Sequence, residues 1–126
     1  MDTQTLLAVI GVLEAEGIDV WLDGGWGVDA LLGHQTREHG DLDLVVELDR
    51  ASRVIELLDA GVLPRHGTPP KSFVTVDARG CQVDTHPVAF NAEGGVFTRW
   101  RTARSGSTRA KGLRVGERRW QAGALP

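Results

Sequence analysis

The side chains with the most evident chemistry lie in one stretch, Trp21 to Glu47, WLDGGWGVDALLGHQTREHGDLDLVVE. Asp41 and Asp43 flank Leu42 at the start of an apolar run, Leu44-Val45-Val46, that reads as a strand. Alternate strand residues point to the same face, so both carboxylates face one way, with Cα atoms roughly 6–7 Å apart. Two carboxylates so placed repel one another unless a cation sits between them, and a hard divalent ion accounts for the pair economically. Upstream, Gly24 and Gly25 follow the short apolar run Val20-Trp21-Leu22 and precede a helix-compatible run, Trp26 to Leu32. Glycines at a strand-to-helix junction let an anion approach the backbone, and a helix start offers free N–H groups to phosphate.

Taken singly, these features have ordinary readings. Asp-x-Asp also occurs in turns and on the polar face of edge strands, and paired glycines serve turns of every kind. In combination, with Arg37 between them, they point to a site for a triphosphate and a metal. Arg37 suits phosphate because its planar fork donates several hydrogen bonds at once. His39, in the same polar loop from His34 to Gly40, reads equally well as a solvated histidine.

The elements that would position these groups follow from periodicity. Asp2 or Thr3 caps a first helix running to about Glu16, with Leu6, Leu7, Ile10 and Leu13 at helical spacing and Gly17 as its stop. Asp19–Asp23 forms the first strand. Trp26 packs in the core or under the site, Asp29 lies one turn into the short second helix, and Gly33 ends it. After the Asp-bearing strand, Asp49 caps a helix from Arg50 to Ala60, stopped by Gly61. The proline-rich segment Val62 to Lys71 is loop. Ser72 to Asp77 and Cys81 to His86, joined by Ala78-Arg79-Gly80, read as a β-hairpin. Asp84 sits on its second strand; by itself it is an ordinary solvent-facing strand residue.

Trp21-Leu22-Asp23-Gly24-Gly25-Trp26-Gly27-Val28-Asp29, Arg37-Glu38-His39-Gly40-Asp41-Leu42-Asp43 and Val83-Asp84-Thr85-His86-Pro87-Val88 together resemble the nucleotidyltransferase superfamily. Within it they look like the small antibiotic nucleotidyltransferases. The wording is nearest to the lincosamide nucleotidyltransferases, with the aminoglycoside 2″-adenylyltransferases next. The resemblance spans roughly Leu6 to Val96, and Thr85 departs from it where an apolar residue is usual. It implies an α/β (α+β) fold, a small mixed sheet flanked by helices. It also implies transfer of a nucleoside monophosphate, AMP from MgATP, to a hydroxyl of a small cationic antibiotic. In that reading Asp41, Asp43 and Asp84 are the catalytic and metal-holding carboxylates for two Mg²⁺ ions. Gly24, Gly25 and Arg37 bind the nucleotide, and His86 either contacts substrate or closes its strand.

Composition bounds the rest. With 126 residues, 41% of them hydrophobic and 25% charged, the chain reads as one soluble domain. No apolar run approaches the roughly 20 residues of a membrane span, and no signal-peptide pattern opens the chain, so a cytoplasmic protein is expected. Cys81 is the single cysteine, which excludes an internal disulfide. The net charge of −3 conceals an asymmetry. Residues 1–97 carry six Lys+Arg and sixteen Asp+Glu, for −10, whereas residues 98–126 carry eight Lys+Arg and only Glu117, for +7.

The acidic part is expected to attract a cationic acceptor. Residues 98–126 form a basic, poorly ordered tail in this reading, distinct from a nucleotidyltransferase domain at 1–97. Their richness in Arg, Ala, Gly and Ser is that of a GC-rich gene read out of frame; a functional basic tail is the rival explanation. In the small relatives the replaced part helps form the acceptor pocket and the dimer, so a chain that lacks it is expected to bind nucleotide yet transfer poorly; a homodimer is the assembly that the resemblance itself implies. A catalytically impaired member, acting only as a nucleotide- or partner-binding module, is the contrasting reading. Nucleic acid is not the expected partner.

Overall fold

A computed structural model describes residues 1–58, 67–76 and 80–90, together with the strands Val96–Phe97 and Leu113–Arg114. Helix α1, Thr3–Ala15, begins at Asp2, whose side chain accepts a hydrogen bond from the Thr5 N–H at 2.7 Å. Its buried residues, Leu6, Val9, Ile10 and Leu13, make one stripe. Strand β1, Val20–Asp23, runs directly into α2, Gly24–Leu32, and Gly33 ends that helix in the left-handed region at φ 77°. The two glycines are therefore the first residues of α2, two positions earlier than the sequence pattern suggests. Asp23 makes this start possible: its carboxylate accepts from the Gly24 N–H at 2.9 Å.

Strand β2, Asp41–Glu47, is followed by a 3₁₀ turn, Leu48–Arg50, and α3, Ala51–Leu58. The helix expected from Arg50 thus starts one residue later, after a tighter turn, and its expected end at Ala60–Gly61 lies outside the described residues. So does most of the proline-rich loop. Strands β3, Phe73–Val76, and β4, Gln82–Phe90, form the anticipated hairpin. Strand β4 runs four residues past His86, straight through Pro87. That proline is tolerated because β3 pairs only as far as Thr85 and the short β5, Val96–Phe97, begins opposite Ala89. Among the described strands Pro87 has a register partner on one side alone, Val46 of β2, which leaves a gap on the other side where proline removes no ladder bond.

The sheet has the order β3-β4-β2-β1-β6, with β5 attached to β4. It is mixed: β2 and β4 are parallel, and the remaining pairs are antiparallel. Strand β6, Leu113–Arg114, lies within the basic tail and pairs with Leu22 and Trp21 at the outer edge of β1. The rest of residues 98–126 lies outside the described residues.

Register decides which side chains go inside. Val20 and Leu22 of β1, Leu42, Leu44 and Val46 of β2, Val83 of β4 and Phe73 of β3 share one face. They pack with Leu6, Val9, Ile10 and Leu13 of α1, Trp26 and Ala30 of α2, and Ala51 and Val54 of α3 in a single core. The described helices thus cover one face of the sheet. The alternate residues of β1, β2 and β4, including every aspartate on those strands, project from the opposite face.

Candidate active site

Three aspartates stand in a row across that open face. Asp43 of β2 is the register partner of Asp23 on β1 and of Asp84 on β4. Asp41 precedes Asp43 on the same side of β2. Beyond Asp84 on β4 comes His86, whose Nε2 lies 3.8 Å from Asp43 Oδ1 and 3.9 Å from Asp84 Oδ1. Ligand atoms of Asp43, Asp84 and His86 all fall within 4.8 Å of one another. Asp41 is not one of the three.

The electrostatics match the crowding. Burial pushes the Asp43 carboxyl up from its usual range, and the negative charges of Asp41 and Asp84 push further. His86 pulls in the opposite direction, and Asp23 adds a smaller upward push. A carboxylate partly withdrawn from water and ringed by other carboxylates is short of positive charge. Oxygen donors converging in this way have the chemistry of a hard-cation site.

The glycines approach this row closely. A β-carbon on Gly24 would fall 2.0 Å from Asp43 Oδ2, and Gly24 has φ 57°, where glycine alone is unstrained. A β-carbon on Gly25 would fall 2.2 Å from His39 Nδ1 and 3.2 Å from Arg37 Nη2. Gly24 thus borders the carboxylates, and Gly25 borders the loop that carries Arg37. The Arg37 side chain is exposed and donates to its neighbour's carbonyl, Glu38 O, at 3.2 Å.

Two residues prove more important to this geometry than their sequence context suggests. Asp29 of α2 is fully buried, and its carboxylate accepts from Thr36 Oγ1 at 2.6 Å and is hydrogen-bonded to His39 Nε2. Burial alone would raise the Asp29 carboxyl, but the bonds with Thr36 and His39 outweigh it and hold the group below its usual range. His39 is buried too, its ring 4.7 Å from that of Trp26, so its reading as a solvated loop histidine is corrected. Asp23 was legible only as part of the motif; its register with Asp43 needed the strand pairing.

Past the carboxylates, the open face turns apolar. The Trp21 ring lies 5.1 Å from that of Phe90. Glu47, Leu48, Asp49, Val88, Ala89 and Phe90 line a cleft of about 420 Å³.

The family model of aminoglycoside-2″-adenylyltransferases matches residues 5–107. The chain belongs to this family. It is 34% identical over 93 residues to a lincosamide resistance protein of Staphylococcus haemolyticus, covering 72% of this chain and 57% of that protein. It is 35% identical over 81 residues to an Escherichia coli 2″-aminoglycoside nucleotidyltransferase, covering 53% and 46% of the two lengths. Among solved structures, the lincomycin-bound lincosamide antibiotic adenylyltransferase LnuA superposes with a TM-score of 0.68 at 31% identity. That match covers 76% of this chain and 61% of LnuA. The fold is also that of ANT(2″)-Ia in complex with adenylyl-2″-tobramycin, with a TM-score of 0.63 at 23% identity over 89% of this chain and 64% of that one. The chain therefore spans about half to three-fifths of the length of the curated relatives and LnuA. The expected fold class, a mixed sheet with helices of the nucleotidyltransferase kind, is borne out. Among the described residues no helix is long and apolar enough to cross a membrane.

Proposed function

We propose that this chain is a metal-dependent nucleotidyltransferase that moves AMP from ATP to a hydroxyl of a small antibiotic, a lincosamide first among them. The observation that carries this reading is the adjacency of Asp43 and Asp84 in register on the open face, with Gly24 against the Asp43 carboxylate. Asp41 and Asp43 would hold Mg²⁺, two ions in all, with Asp84 as a further ligand or as the base. Mg²⁺ held there would supply the positive charge that an in-line displacement at phosphorus calls for.

The protein's own groups do the remaining work. Asp84 accepts the proton of the acceptor hydroxyl, which then attacks the α-phosphorus as pyrophosphate departs. Gly24 and Gly25 leave the start of α2 open to the phosphates, and Arg37, exposed beside Gly25, donates to their oxygens. His86 stands between the carboxylates and the apolar cleft, on the side from which the acceptor approaches. The cleft favours a lincosamide over an aminoglycoside: its apolar wall of Leu48, Val88 and Phe90 suits an alkyl-bearing acceptor, while Glu47 and Asp49 suit one amine. A cytoplasmic location and a homodimer belong to the same proposal.

Incubating the protein with MgATP and lincomycin, and in parallel with tobramycin, tests it. Mass spectrometry should find adenylylated lincomycin in preference to adenylylated tobramycin. The converse product would reassign the acceptor to the aminoglycosides. ATP binding with no product on either drug would favour a binding module.

A further inference from the structure

His86 is the one nitrogen donor in the group formed with Asp43 and Asp84. Asp84 and His86 are alternate residues of β4, as Asp41 and Asp43 are of β2, and Val45 is the register partner of His86. The imidazole therefore projects on the same face as the carboxylates. Its two nitrogens have separate neighbours. Nδ1 lies 2.9 Å from Ser72 Oγ, and Nε2 faces the oxygens of Asp43 and Asp84 at 3.8 and 3.9 Å.

A serine hydroxyl can accept a hydrogen bond as readily as donate one. With Nδ1–H given to Ser72, the Nε2 lone pair points toward the carboxylates. An outer hydrogen bond that fixes ring and tautomer is the usual accompaniment of a ligating histidine. Donors bound to one ion at about 2.0–2.2 Å stand roughly 3–4 Å apart, and the observed separations of Nε2 from the two oxygens fall in that range. The ring is about a third exposed, so an ion reaches it from solvent.

We infer that His86 Nε2 is a metal ligand beside Asp43 and Asp84, held in place by Ser72, and that it turns an all-oxygen site into a mixed one. The inference rests on the proposed reading of the carboxylates as a metal site and adds the ion preference. An imidazole suits Co²⁺ or Zn²⁺ far better than Mg²⁺, and Mn²⁺, itself an oxygen-seeking ion, still accepts nitrogen more readily than Mg²⁺, which gives up its water reluctantly. Mn²⁺ should bind more tightly than Mg²⁺ at this site, and the difference should depend on residue 86.

The test titrates the full chain with Mn²⁺ alone, reading free ion by electron paramagnetic resonance and bound ion by electron spin echo modulation. The expected result is nitrogen modulation from a coordinated imidazole. It should vanish in His86→Gln, with Mn²⁺ affinity falling about tenfold or more and Mg²⁺ affinity, from competition, changing about twofold or less. Ser72→Ala, which leaves all three ligands in place, should weaken Mn²⁺ binding by a smaller factor and provides a second measurement should His86→Gln fold poorly. Bound Mn²⁺ without nitrogen modulation, lost in Asp43→Asn, would overturn the role of His86 and leave the carboxylate site standing. Absence of Mn²⁺ binding, or binding indifferent to Asp43→Asn, would overturn both.

Discussion

Asp29 and His39 are hydrogen-bonded to each other inside the protein, and the His39 ring turns its other nitrogen toward Gly25. This pair ties the middle of α2 to the end of the loop bearing Arg37. Its position explains how a short polar loop becomes part of the site's frame.

Asp29→Asn should therefore lower stability by about 1–3 kcal/mol, since a buried charged hydrogen-bond acceptor is replaced by a neutral one. The pH profile should change with it. The folded Asp29 carboxyl titrates below its unfolded value, so its contribution is complete above the ordinary carboxylate pKa of about 3.9 and is lost as pH falls toward the depressed value. Denaturant melts between neutral pH and pH 3 should show a steeper acid loss in the parent than in Asp29→Asn. Parallel acid profiles would show that the pair contributes no pH-linked stability.

Gly25→Ala should cost about 1–3 kcal/mol, because the added methyl meets the buried His39 ring, itself backed by Trp26. The strain falls where the phosphates are proposed to lie, so MgATP affinity should fall too. Calorimetric titration and a thermal melt check the two effects separately. Unchanged ATP affinity in a destabilised variant would remove Gly25 from the nucleotide site and leave it a packing residue.

Asp43→Asn should abolish transfer while leaving the metal-free protein as stable as the parent, or more stable, at neutral pH. The Asp43 carboxyl titrates above its unfolded value. Its ionisation therefore opposes folding: stability present in acid is lost as pH rises through the ordinary carboxylate range to the raised value. Asparagine cannot ionise and avoids that loss. Adding Mg²⁺ should raise the melting temperature of the parent and not of the variant. Transfer near the parent rate in Asp43→Asn would remove this residue from the mechanism.

Much of the frame was legible because periodicity and register act locally. Leu6, Val9, Ile10 and Leu13 recur with a helix's spacing, and the alternation Asp41-Leu42-Asp43-Leu44 separates an open face from a core face. The motifs also drew attention to Asp84, although only the parallel pairing of β2 with β4 sets it beside Asp43. That pairing joins strands distant in sequence, and no local pattern encodes it. The same holds for Asp23 across from Asp43, and for His86 between the two carboxylates and Ser72. His39 stays open between two readings in the sequence because a histidine in a polar loop carries no local sign of burial; the buried Asp29 opposite it decides its environment. The run of β4 through Pro87 was missed for a similar reason, since a proline's cost depends on which side of the strand lacks a partner.

Truncation after Phe97 is the remaining prediction, and it concerns the basic segment. Leu113 and Arg114 are the part of residues 98–126 that the structure describes, paired with the outer edge of β1. A two-residue ladder contributes on the order of 1 kcal/mol per net hydrogen bond, so truncation should lower the melting temperature only slightly. It also uncovers the unpaired edge of β1, and an uncovered edge invites pairing with a second chain. The shortened protein should therefore sediment partly as larger species. Transfer activity, if residues 98–126 are an out-of-frame replacement with no part in catalysis, should stay within about twofold per folded monomer. Circular dichroism melts, analytical ultracentrifugation and the lincomycin assay on the same preparation read the three outcomes independently. A large loss of transfer with the melt unchanged would make the basic segment a working part of the triphosphate site, its positive charge meeting the −10 of residues 1–97 or the phosphates themselves.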